Sequence, residues 1–153
     1  MSRYLVTMIS LDVECAMSSP VQTVTVECSA VEAAQQMQAD GVGALVVLDE
    51  AGAIEGIVTQ SDIIGLLAAE ADMATTTVAE LMSSPVVTIG SGDRILAAAE
   101  LMKDNSVRRL PVVDDGELVG IVTTTDLTHY LPRLRNTILR DRKEQTAATA
   151  TEQ

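Results

Sequence analysis

Two short stretches, Thr59-Gln-Ser61-Asp62 and Thr123-Thr-Thr125-Asp126, repeat one arrangement of hydroxyls and a carboxylate. Each follows an apolar run ending in Gly-Ile-Val and opens a segment whose residues suit a helix start. A carboxylate just past a strand end accepts two hydrogen bonds, which suits a vicinal diol. The Thr hydroxyl three residues earlier can donate to a phosphate. So can the N–H groups of the helix start, where the dipole favours an anion. The competing reading makes Asp62 and Asp126 helix caps and leaves Thr59 and Thr123 as strand residues. Capping needs only one Asp, Ser or Thr, so it does not by itself explain Thr-x-x-Asp twice.

Arg108-Arg109 adds cations where they are scarce. Residues 1–132 hold five Lys+Arg against 19 Asp+Glu, a net −14, so this pair is the obvious partner for a phosphate. Its alternative role is a surface pair offsetting nearby carboxylates.

Catalysis is not indicated. His129 is the only His and has no neighbouring Ser or Cys nucleophile in sequence. No metal-ligand spacing occurs, and Met8, Met17, Met37, Met73, Met82 and Met102 read as pliable core filling. Cys15 and Cys28 stand alone and read as small buried hydrophobes in a reducing compartment. The acidic body would repel DNA, RNA and anionic lipid. With no Phe, no Trp and two Tyr it offers no platform for stacking bases. No stretch has the length of a signal h-region or a membrane span, so a cytoplasmic protein is expected. Acid excess with two Lys against eight Arg suits a high-salt, halophilic setting where self-repulsion is screened. An ordinary acidic cytosolic protein fits equally.

The elements that must position these residues come from a duplication. At an offset of 65, Met17-Ser-Ser-Pro-Val21 falls on Met82-Ser-Ser-Pro-Val86, Met37 on Met102, and Leu45, Val47 and Asp49 on Leu110, Val112 and Asp114. The offset then drops to 64, so that Gly56-Ile-Val-Thr59 meets Gly120-Ile-Val-Thr123 and Asp62 meets Asp126. The lost residue lies in an acidic turn, where length changes are tolerated. Each unit predicts a short helix, 78–82 in the second copy, then a strand over 22–26 or 86–89. An amphipathic helix follows, capped by Ser29 with Glu32 in a capping box, and by Asp93 in the second copy. Val31, Ala34 and Met37 share one apolar face; Ile95, Ala98, Ala99 and Met102 share the other. A hairpin comes next, 44–48 with 57–59 and 110–113 with 118–123. A last helix starts at Ser61-Asp62 or Thr125-Asp126, runs toward Ala71 in the first copy, and is ended or kinked by Pro132 in the second. Such a unit of about 60 residues buries too little surface alone. Two copies packed sheet to sheet make one α+β body of two β-α-β-β-α repeats, with pseudo-twofold symmetry and two equivalent crevices.

The signatures Gly56-Ile-Val-Thr-Gln-Ser-Asp62 and Gly120-Ile-Val-Thr-Thr-Thr-Asp126 resemble those that close the third strand of cystathionine-beta-synthase (CBS) domains. Met-Ser-Ser-Pro-Val-x-Thr in each unit and Arg109-Leu-Pro-Val-Val-Asp114 resemble them too. The resemblance implies repeats at 12–72 and 77–131; the remaining 132–153, basic and then without apolar periodicity, reads as a basic helix end and disordered tail. It implies crevices shared between repeats, with Thr-x-x-Asp of one holding ribose and phosphate and the other supplying an adenine wall. One site then joins Thr59, Ser61 and Asp62 to Val107, Arg108 and Arg109. The other joins Thr123, Thr125 and Asp126 to Val42, Gly43 and Ala44. The implied ligand is AMP, ADP, ATP or S-adenosylmethionine, with no cofactor required. The implied protein is a stand-alone, non-enzymatic sensor acting on a separate partner. It also implies a homodimer joined through apolar helices, 78–82 and 63–69 being candidates. A ligand-free dimerisation and interaction scaffold is the alternative. A DNA-associated regulator would rest only on the basic stretch 133–143.

Overall fold

A computed structural model describes residues 11–129. Pro132, the basic stretch and the tail lie outside the described residues. The described residues open on a single 3-10 turn, Val13–Cys15. The first repeat then contributes β1 (Thr23–Thr25), α1 (Ala30–Asp40), β2 (Ala44–Leu48), β3 (Ile54–Thr59) and α2 (Gln60–Ala68). The second contributes α3 (Val78–Leu81), α4 (Ile95–Asn105), β4 (Arg109–Asp114), β5 (Glu117–Thr123) and α5 (Thr124–Thr128). β1 pairs parallel with β2, and β2 antiparallel with β3. β4 and β5 form the matching antiparallel hairpin.

Local chemistry sets most boundaries. Ser29 and Glu32 close the predicted capping box at α1, and Gly41 ends that helix at φ 65, a left-handed backbone that glycine adopts without a Cβ penalty. Three sequence expectations need correction. The second repeat has no strand over 86–89, only a one-residue parallel bridge between Ile89 and Val112. The segment Gly90-Ser91-Gly92 breaks the ladder there, and Ser91 turns its N–H and hydroxyl to the Asp114 carboxylate instead. Asp93 does not cap α4; Arg94 holds the cap position, and Asp93 accepts from the N–H of Gly90 at 2.9 Å. The core face of α1 is Ala30, Ala33 and Met37, with Val31 outside the cluster.

Two apolar clusters form the core, and they do not follow the sequence repeats. Val24, Ala33, Met37, Leu45, Val47 and Val58 gather with Val78 from the opening of the second repeat. Ala98, Met102, Leu110, Val112 and Val122 gather with Val13 from the opening of the first. The entry segments are exchanged. Ser18 pairs with Ile121 through two backbone bonds, and Ser83 pairs with Ile57 in the same way. Strand glycines make room for this. A Cβ on Gly56 would lie 2.6 Å from Met82 Sδ, and one on Gly120 would lie 2.6 Å from Met17 Sδ. The Met of Met-Ser-Ser-Pro and the Gly of Gly-Ile-Val-Thr recur together because each Met sits on the other repeat's Gly. α3 packs on the first core through buried Val78 and partly buried Leu81 and Met82.

The opposite faces of the hairpins form the seam between repeats. Leu45 and Val47 point to the first cluster, whereas fully buried Val46 belongs to neither. Leu110 and Val112 point to the second, and fully buried Pro111 likewise belongs to neither. Strand alternation puts Ala44 with Val46, and Arg109 with Pro111, on the seam side.

Candidate functional site

Each hairpin ends at a corner where strand becomes helix. Thr59 is the register partner of Ala44, and the N–H of Gln60 donates to the Gly43 carbonyl at 3.0 Å. Thr123 is the partner of Arg109, and the N–H of Thr124 donates to the Arg108 carbonyl at 2.9 Å. The predicted residues therefore gather at two equivalent corners, each already joined to the segment 42–44 or 107–109 of its own repeat.

The Thr-x-x-Asp pattern closes both corners. Thr59 N–H donates to Asp62 Oδ2 at 2.8 Å, with the Thr59 hydroxyl 3.1 Å from the same oxygen. Thr123 N–H donates to Asp126 Oδ2 at 2.8 Å, and Asp126 N–H donates back to Thr123 Oγ1 at 3.1 Å. These are capping boxes, as at Ser29/Glu32 and Thr77/Glu80. Contrary to the sequence expectation, capping accounts for Thr-x-x-Asp at both corners. A reciprocal box needs a hydroxyl at the cap and a carboxylate three residues on. The boxes use one oxygen of each carboxylate. Oδ1 of Asp62 and of Asp126 accepts no hydrogen bond among the described residues, which leaves half of each half-buried carboxylate open to a diol. Ser61 and Thr125 beside them are exposed.

The two arginines behave differently. Arg108 is exposed and Arg109 half-buried. Neither makes an ion pair among the described residues, where the only one joins Arg94 to Asp12 at 2.6 Å. Arg109 crosses the seam. A Cβ built on Gly43 would meet its Nη2 at 2.9 Å and the Gln60 Oε1 at 3.5 Å. The guanidinium of the second repeat thus lies against the first repeat's corner, near Gln60, which follows Thr59. Gln60 was missed in the sequence because nothing local distinguishes it from a solvated helix residue. Val42 and Val107 follow the helix ends and pack partly buried against the first and second clusters.

Other features lie away from the corners. An open depression of about 390 Å3 at the edge strand β1 is lined by Thr23, Thr25, Glu27, Cys28, Glu32 and Gln36, and by none of the predicted site residues. Burial raises the Cys28 pKa, and Glu32 raises it further by its charge and a hydrogen bond. The hydroxyl and then the N–H of Ser91 hold the Asp114 carboxyl below the usual range. Cys15 is exposed rather than buried as its composition-based reading had it. His129 is exposed at the end of α5. Among the described residues no group of three or more His, Cys, Asp or Glu could hold a metal, and no helix is long and apolar enough to cross a membrane.

An α+β body of two repeats, stacked by their sheets and carrying a Thr-x-x-Asp corner at each hairpin end, defines a tandem-repeat module. The chain belongs to the CBS domain family, whose model matches residues 10–69 and again 78–133. It is 35% identical over 128 residues to an uncharacterized protein of Methanopyrus kandleri, covering 82% of this chain and 62% of that one. It is 36% identical over 111 residues to the CBS domain-containing protein YhcV of Bacillus subtilis, covering 72% and 79%. Among solved structures it is similar to the CBS domain pair of protein MJ0100 in complex with methylthioadenosine and S-adenosyl-L-methionine. That match has a TM-score of 0.73 at 30% identity and covers 79% of this chain and 95% of that one.

Proposed function

We propose that this CBS pair is a regulatory sensor that binds an adenosine-type ligand, such as AMP, ADP, ATP or an S-adenosyl compound, and performs no catalysis. The observation that carries the reading is the corner of Thr59 and Asp62 with the Arg109 guanidinium beside it. A nucleoside phosphate brings at least one full negative charge into a body of net −14, so it needs a local cation free of carboxylates. Arg109 is such a cation, Asp62 Oδ1 is an open acceptor for the ribose, and the exposed side chains of Gln60 and Ser61 supply amide and hydroxyl donors. Similarity to a CBS pair that holds two adenosine compounds supports the same ligand class here. The corner of Thr123 and Asp126 faces the first repeat without a cation, and takes neutral or zwitterionic adenosine compounds by hydroxyls and backbone.

The test is a thermal-shift panel of AMP, ATP, S-adenosylmethionine and adenosine at low and high salt. A ligand at a hundredfold its Kd raises stability by about 2.7 kcal/mol. No shift with any of them removes the sensor reading.

A second reading, dimerisation and partner binding, is favoured by α2. Its Ile63 is buried while Ile64 and Leu67 stand 64% and 59% exposed one turn apart. A homodimer through this face, acting on a separate protein, is compatible with ligand binding. A monomeric mass by light scattering, for wild type and Ile64→Lys alike, would discard it.

A further inference from the structure

The resemblance assigns Gly43 to the adenine wall of the Asp126 crevice; its surroundings give it other work. Its φ lies in the ordinary range, unlike Gly41, Gly52 and Gly116, so no turn requires a glycine there. It is the last residue before β2, and its carbonyl already accepts from Gln60 as any residue's would. What a side chain would change is the space above it. The nearest atoms to an added Cβ are the far end of Arg109, at 2.9 Å, and the Gln60 side-chain amide, at 3.5 and 3.7 Å. No backbone atom of another segment is among them. The missing Cβ is a seat for one guanidinium.

The neighbouring position fits this. Ala44 and Arg109 are equivalent in the duplication and both lie on the seam side of their strands. Arg109 has the longest side chain available there, and Ala44 one of the shortest. Two arginines could not share the seam, by volume and by like charge. The first repeat has therefore yielded its space, with Gly43-Ala44, to a cation from the second.

We propose that Gly43 is a specificity-determining residue of the Thr59–Asp62 crevice: by lacking a Cβ it seats the Arg109 guanidinium there, and so makes that crevice select phosphorylated over uncharged adenosine ligands. The proposal rests on the adenosine reading for its ligand class, but the seat itself does not. Gly43 acts through Arg109 and is a positioning residue.

The variant Gly43→Ala tests it on the full chain. Only the flexible end of Arg109 must move, so the unfolding midpoint of the unliganded protein stays level or rises. By calorimetry, AMP and ATP bind roughly tenfold more weakly, the loss of about one charge-assisted contact. Adenosine affinity is unchanged, and Arg109→Lys lies between wild type and Arg109→Ala for ATP. If adenosine weakens as much as AMP, Gly43 is a base-pocket wall and the proposal is wrong; unchanged AMP affinity overturns it equally. A second measurement needs no nucleotide. The Arg109 Nε–H resonance, identified by its loss in Arg109→Lys, shifts in Gly43→Ala if the guanidinium leaves its seat. An unmoved resonance overturns the seat. A moved resonance with no adenosine compound bound to wild type keeps the seat and removes the adenosine reading alone.

Discussion

The first repeat passes from its central helix into β2 through Gly43-Ala44, and the second passes into β4 through Arg108-Arg109. Everything around these pairs is nearly the same: register partners Thr59 and Thr123, capping boxes on Asp62 and Asp126, and a helix-start N–H bonded back to Gly43 or Arg108. Duplicated frames can thus be held constant while two adjacent residues decide which corner carries charge. The difference is not additive, because the arginine of one repeat is housed by the glycine of the other. Unequal crevices follow from the packing of a single seam and need no divergence of the corners themselves.

The largest expected effects test whether the repeats are separable at all. Leu45→Ala and Leu110→Ala each remove a fully buried side chain from a different cluster and cost about 2–5 kcal/mol. Because the entry segments are exchanged, both variants should still unfold in one transition in urea. Two resolved transitions in either would show that the repeats behave as independent bodies. Next come the corners. Asp62→Ala should remove the tighter phase of AMP or ATP binding, about 1.5–3 kcal/mol for a charged hydrogen bond, whereas Asp126→Ala should leave it. Both lose the carboxylate half of a capping box, so each serves as the other's stability control. Reversal of the pair in calorimetry would exchange the two assignments.

Smaller effects sharpen the comparison. Gly56→Ala and Gly120→Ala drive a methyl into Met82 or Met17 and should each cost about 1–3 kcal/mol by overpacking. Similar losses in both would confirm that the exchange is symmetric, where Gly43→Ala would not be. Ser29→Ala should cost about 1 kcal/mol. The equivalent Arg94→Ala should cost less, since Arg94 makes no capping bond and its bond to Asp12 is an exposed ion pair. The smallest effect is in acid. Asp114 titrates below the usual range in the folded state because of Ser91. Its contribution is present above the ordinary carboxylate pKa and is lost as pH falls through the lower folded value. Ser91→Ala should flatten that acid-side loss, below about pH 4. Asp49, its counterpart, instead accepts from the N–H groups of Ala51 and Ala53 in its own hairpin.

Short-range features were legible in the sequence. The hairpins appear within a few residues of the reading, with β3 and β5 longer at their starts and β4 at both ends, because alternation and acidic Gly turns are local signals. The box at Ser29 was read from spacing alone. The first strand of the second repeat was lost because Val86-Val-Thr-Ile89 has strand composition, while the competing Ser91–Asp114 bonds span 23 residues. Val78 and Val13 looked like members of their own repeats, since no periodicity reports which core a short helix will join. At the candidate site, the residue types were legible as hydroxyl, carboxylate and guanidinium. The division of labour between Gly43 and Arg109 was not, because it is a contact across the seam between residues 66 apart.

The exchanged entry segments also bear on the handling of the chain. Each repeat wears a lid cut from the other, with Val13 and Met17 on the second core and Val78 and Met82 on the first. Either repeat without the other would lose part of the cover over its own core. Severed in the linker near Asp72, the two fragments would each bear an uncovered core and would behave as complementing halves, ordered only when they meet.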